Sequence, residues 1–187
     1  MLRVGDVAPG FCERPIFGRD VDLLALAGSR PVGLCFVGHT NSPISHRAFQ
    51  ELHDHVRDFD LADVELLVVT PSGLTVARDF VPRYHVLFPV ISDLEGKIFD
   101  AYSVGTSTRL DALQLFRPDL LRDVARRFKG GIGPRALSLE GQEARLPAEF
   151  VISPQGRIAY ARYSETVMAL PDVVSLLEAG KACRLSA

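Results

Sequence analysis

Two short apolar runs, PVGLCFV at residues 31–37 and VELLVVT at 64–70, constrain this chain more than any other feature. A strand with one wet face alternates apolar and polar residues, whereas a run without alternation is buried on both faces. A sheet covered on both sides needs helices above and below it, which places the chain in the α/β class. FPVIS at 88–92 is a third, shorter run. Residues 150–153 and 157–163 flank Pro154-Gln155-Gly156, the turn signal of a hairpin.

Helical patterns lie between these strands. Phe49, Leu52, Val56 and Phe59 recur at spacings of three and four, so they form one buried stripe of a helix that follows Ser42. Ser42 suits the N-cap, and Pro43 suits the first helical position, where its missing N–H costs nothing. Further helices are expected at about 74–84, 96–102 and 170–178. The 187 residues, 47% of them hydrophobic, are enough for one good core, and a single domain over 1–187 is expected. Residues 109–135 interrupt the strand–helix order with seven basic residues against three acidic ones. Leu110, Leu113, Leu120, Leu121 and Val124 predict a helical insertion there, before the hairpin. Its Gly-Gly-x-Gly follows no strand and is weak evidence for phosphate binding.

The formal net charge of −2 gives no electrostatic footprint for nucleic acid or an anionic membrane. No apolar run approaches the roughly 18 residues of a membrane span. The MLRVGD start lacks the apolar stretch of a signal peptide, so a cytoplasmic location is expected. Cys12, Cys35 and Cys183 are odd in number and far apart, which is neither a disulfide framework, a CxxC motif nor a zinc pattern. The histidines and acidic residues lack metal-ligand spacing, and no metal or other cofactor is expected. Cys35 lies inside the first apolar run and reads as a core residue, Cys12 as packed near a sheet edge, and Cys183 as part of a polar, disordered tail.

Three stretches share a family resemblance. The opening Gly5-Asp6-Val7-Ala8-Pro9-Gly10-Phe11, the segment FVGHTNSPIS at 36–45, and Leu146-Pro147-Ala148-Glu149-Phe150-Val151-Ile152 occur in this order. Together they resemble peroxiredoxin-like proteins of the alkyl hydroperoxide reductase/thiol-specific antioxidant (redoxin) superfamily. The resemblance implies a thioredoxin-like fold with a central mixed sheet flanked by helices, a cis bond before Pro147, and a homodimer as the expected assembly. In that family the loop after the first strand carries Cys-Pro-x-Cys or Thr-x-x-Cys. Here it reads Ser42-Pro43-Ile44-Ser45, and Gly38 replaces a proline common in relatives.

A helix N-terminus lowers a cysteine pKa to about 3.5–7.5, but it does not ionise a serine. A serine alkoxide needs a general base beside it, and serine forms neither sulfenic acid nor a disulfide. Peroxide reduction at Ser42 or Ser45 is therefore not expected. The positions retain a polar loop and a helix end suited to an anion. Ser42, Ser45, His46 and His39 are the candidate catalytic residues. Thr40, Asn41, Arg47, Pro147 and Glu149 are the candidates for binding a substrate or ligand. His46 follows Ser42 by one turn and titrates near neutral pH. Each has a plainer role: Ser42 as a cap, Ser45 as a small residue in the first turn, His46 as a surface side chain, Glu149 as a structural one. Three functions follow. The first is a redox-inactive domain that binds a small molecule or partner. The second is a non-redox lyase, cyclase or isomerase of a biosynthetic pathway using His39 or His46. The third is a thiol peroxidase or disulfide oxidoreductase carried here as a Cys-to-Ser mutant.

Overall fold

The computed structural model describes residues 1–83, 85–107, 118 and 144–185. The insertion expected at 109–135 lies outside them, apart from Pro118, which is helical. The described elements are β1 (Cys12–Glu13), β2 (Val21–Asp22), α1 (Leu23–Ala27), β3 (Val32–Phe36), α2 (Pro43–Asp54), α3 (Val56–Ala62) and β4 (Glu65–Thr70). They continue with α4 (Leu74–Arg83), β5 (Val90–Ser92), α5 (Lys97–Ala101), β6 (Ala148–Ile152), β7 (Ile158–Tyr163) and α6 (Val173–Leu185).

The apolar runs form the middle of a five-stranded sheet ordered β5-β4-β3-β6-β7. β3, β4 and β5 are parallel; β6 runs antiparallel to both of its neighbours, β3 and β7. The two-residue period sorts their side chains into two cores. Val32, Leu34 and Phe36 of β3 join Leu67, Val69, Ala148, Phe150 and Ile152 on one face, under Leu23, Phe99 and Tyr102. Cys35, Leu66, Val68 and Val151 face the other way, where α2, α3, α4 and α6 cover them. Burial on both faces is the reason the runs lack alternation. By the same period, Cys35 and its register partner Glu149 both point toward α2 and α6.

The opening motif packs across the far hairpin. Gly5 and Ala8 donate to the carbonyls of Ile158 and Gly156 at 2.8 and 2.9 Å. The Tyr102 hydroxyl donates to the Pro9 carbonyl at 2.9 Å. The hairpin itself turns at Gly156, whose φ of +69° favours glycine.

Four sequence expectations are corrected. The stripe from Phe49 to Phe59 belongs to two helices, not one. Nδ1 of His55 donates to the Glu51 carbonyl at 2.9 Å, and the chain breaks there between α2 and α3. The last helix reaches Leu185, well past 178, so Cys183 sits on a helix and packs against the α2-side core instead of trailing in a disordered tail. Gly180 is the reason the helix continues so close to the sheet: a Cβ there would lie 2.6 Å from Cγ2 of Val64. Cys12 is exposed on the small β1–β2 hairpin, apart from the main sheet. Finally, no described peptide bond is cis, so the Leu146–Pro147 bond is trans. Arg145 bridges Thr106, Leu146 donates to the Gly105 carbonyl, and Ser164 donates to the Pro147 carbonyl. Both sides of the bond are thus held in one extended run into β6, without the tight turn that a cis bond serves.

Candidate functional site

β3 delivers the chain to the loop at its carboxyl end, and α2 carries it away. That loop is fastened at successive residues. The Thr70 hydroxyl donates to the Gly38 carbonyl at 3.0 Å. The Ser72 hydroxyl accepts from the Thr40 N–H at 2.7 Å and from the Thr40 hydroxyl at 3.0 Å. Ser42 N–H closes back on the His39 carbonyl at 2.8 Å. The hydroxyl of Ser92 reaches the Ser72 carbonyl at 2.7 Å, which ties the neighbouring parallel strands into the same network. The polar residues behind the loop, Thr70, Ser72 and Ser92, come from β4, β5 and the turn between β4 and α4, and no motif in the sequence marks them.

His46 belongs to this fastening. Its Nε2 donates to the Thr40 carbonyl at 2.8 Å, and its ring lies 5.1 Å from that of Phe80. It is 4% exposed, so it is not the surface side chain of the plainer reading. Holding Thr40 engages one of its two ring nitrogens.

Ser42 occupies the N-cap position of α2, but its side chain makes no cap hydrogen bond. That is a second departure from the sequence reading. Ser42 is 4% exposed and Ser45 1% exposed, and neither hydroxyl has a hydrogen-bond partner among the described residues. The two hydroxyls open instead onto a pair of adjoining hollows. One, narrow and partly open to solvent, is bounded by Ser45, Ala48, Cys35, Glu149, Pro147 and Val167 among others. The second, equally narrow, lies against His39, Ser42, Ala144 and Arg145. Gly38, Ile44 and Val167 border both.

The remaining candidates divide. His39, Thr40 and Asn41 are buried in the loop, and Arg47 is half-buried one turn into α2. Glu149 is 1% exposed, and both its carboxylate oxygens meet Nη1 of Arg162, at 3.0 and 2.9 Å. Burial raises the Glu149 carboxyl above its ordinary value, and Arg162 opposes that rise. Burial also raises the Cys35 thiol well above its ordinary value, and the charge of Glu149 adds to it. Arg145 borders the second hollow, but its guanidinium pairs with Asp100 at 2.7 Å and lies over the Phe99 ring. Val167, which borders both hollows, was missed in the sequence, because nothing local marks a residue that approaches the site from the segment after β7. Among the described residues no three His, Cys, Asp or Glu side chains gather as metal ligands, and no helix is long and apolar enough to cross a membrane.

The fold is shared with solved proteins at low sequence identity. Peroxidoxin BcpB of Mycobacterium tuberculosis aligns at a TM-score of 0.70 and 15% identity, over 97% of this chain and 98% of that one. Peroxiredoxin 6 of Arenicola marina aligns at 0.73 and 12%, over 100% and 75%. The bacterioferritin comigratory protein of Xanthomonas campestris aligns at 0.65 and 17%, over 92% and 90%. These likenesses establish the thioredoxin fold of peroxiredoxins. No curated protein matches the sequence. The model of the AhpC/TSA family, however, matches residues 4–161, most of the sheet and the whole serine loop. This chain, a peroxiredoxin-like redoxin, belongs to the AhpC/TSA family.

Proposed function

We propose that this redoxin has given up peroxide reduction and uses the loop end of α2 to hold a small polar ligand. One observation carries the reading: the hydroxyls of Ser42 and Ser45 are buried at the start of a helix and meet no protein partner among the described residues. A buried hydroxyl left unpaired costs about 1–3 kcal/mol, so a bound group that pairs it gains that much. The first turn of α2 adds N–H donors and a partial positive charge at the same place. The cysteines do not replace the missing loop thiols. Cys35 borders the Ser45 hollow, but its raised pKa keeps it a thiol, and the thiolate is the nucleophile.

A second reading, a non-redox enzyme, has one feature in its favour: His39 borders the same hollow as the Ser42 hydroxyl. There an imidazole and a hydroxyl face a common space, as general acid–base chemistry requires. His46 serves this reading less well, because its Nε2 is engaged by Thr40.

The test is peroxide turnover. With dithiothreitol as reductant, this chain should consume hydrogen peroxide at the uncatalysed rate. Saturable turnover that disappears on Cys35→Ser would sink the proposal. The S42C/S45C double variant separates what remains. A large gain would mean that the scaffold is still tuned for thiolate chemistry, favouring a Cys-to-Ser mutant of a thiol peroxidase. No gain would mean that the pocket has been rebuilt around the serines.

A further inference from the structure

We propose that Gly38 opens a seat for an aliphatic carboxylate, whose oxygens take the Ser42 and Ser45 hydroxyls while its hydrocarbon chain lies against Val167. The inference rests on the ligand-holding reading above and names the class of ligand.

Gly38 borders both hollows, and a Cβ added to it would lie 3.0 Å from the Ser45 Oγ. Any side chain at this position would press on the Ser45 hydroxyl; glycine leaves the space beside it vacant. The two hydroxyls are three residues apart on the first turn of a 12-residue helix, so they stand on one side of it. They offer donors at a positive helix end, which selects an acceptor group that carries negative charge. A carboxylate has two acceptor oxygens and no proton to place, and it matches two separate donors.

The apolar side of the seat comes from elsewhere in the chain. Ile44, Ala144 and Val167 form a small cluster apart from the two main cores, with Leu146, Met168 and Leu170 packed on it. Apart from the thioether of Met168 its members are aliphatic. An aliphatic chain matches that wall. The same cluster draws the segment after β7 over the start of α2.

One group opposes an anion. Glu149 borders the Ser45 hollow from the strand side. Both its oxygens are held by Arg162, which balances its charge and leaves no free donor at that end. The carboxylate of the ligand accordingly goes to the serine end and its chain toward Val167.

Calorimetric titration of the full chain with hexanoate, hexanamide and acetate tests this. Hexanoate should bind about tenfold or more tighter than hexanamide, which lacks the charge, and likewise about tenfold or more tighter than acetate, which lacks the chain. Ser42→Ala with Ser45→Ala should erase the preference for hexanoate over hexanamide. Gly38→Ala should weaken both acids while its circular dichroism matches the parent. Val167→Ala should weaken hexanoate alone. Equal affinity for hexanoate and hexanamide would overturn the carboxylate assignment and leave the ligand-holding reading standing. Binding of hexanoate that ignores Gly38→Ala and the serine changes would place it elsewhere and overturn the seat. If none of the three probes binds, the seat falls, while peroxide turnover still decides independently whether the chain is a peroxidase.

Discussion

Cys35 faces the same hollow as Ser45, yet the two residues stand in opposite chemical situations. The serine has donors and positive potential around it and no ionisable proton to exploit them. The cysteine has the ionisable proton, but it lies in the sheet with Glu149 as its register partner. Burial and that carboxylate both raise its pKa, so the proton stays on sulfur at any pH near neutrality. The three thiols should therefore react with Ellman's reagent in a fixed order at pH 8. Exposed Cys12 comes first. Cys183, partly buried on α6 and with its pKa raised by that burial, comes more slowly. Cys35 should appear only in denaturant. Three equivalents released from the native protein in one fast phase would show that Cys35 reaches solvent as thiolate, and the case against a relocated thiol chemistry would fail with it.

At the scale of the element, the close approach of α6 to the sheet hangs on one missing atom. Gly180 to Ala improves helix propensity by about 1 kcal/mol. The added Cβ, however, would meet Cγ2 of Val64 at 2.6 Å and Cγ1 at 3.0 Å. Overpacking of a fitted core costs about 1–3 kcal/mol, so the clash outweighs the propensity gain. Urea unfolding of Gly180→Ala should show a lower midpoint with an unchanged slope. The Val64→Ala change alone should also destabilise, by leaving a void. Their combination should be more stable than the sum of the two, because one methyl fills the space the other vacates. Strict additivity would mean that the two residues do not touch. The helix stripes were legible because the 3.6-residue period is local. The His55 break was not, because it depends on a side-chain bond to the Glu51 carbonyl that leaves no trace in the apolar pattern. The full extent of α6 was not legible either, because the fit of Gly180 against Val64 is a contact between distant parts of the chain.

For the whole molecule, the class of fold was legible in the two unalternating runs, since only burial on both faces explains them. The strand–loop–helix around Ser42 was legible too, through the residues that resemble the family. The walls of the hollows were not. Gly38, Glu149 and Val167 meet from β3's loop, β6 and the segment after β7, and no periodicity relates them. The same two-faced burial fixes how the molecule should open. β3 lies between β4 and β6; all five of its residues are buried, and Val32, Leu34, Cys35 and Phe36 are at most 1% exposed. Its amides cannot reach water unless both cores part at once. The β1–β2 hairpin has two residues per strand and stands outside the main sheet. Native-state hydrogen exchange should therefore sort the amides by layer. Amides of β3, β4 and β6 should exchange with the free energy of global unfolding and respond to denaturant with its full slope. Those of β1 and β2 should exchange by local opening, with almost no dependence on denaturant. β7, paired on one side and covered partly by the N-terminal motif, should fall between them. If β3 instead exchanged with a smaller slope than global unfolding, the two cores would separate as independent units. The serine loop, anchored to β3 on one side and to β4 through Thr70 and Ser72 on the other, would then open with one of them, and the site would be a mobile gate instead of a fixed seat.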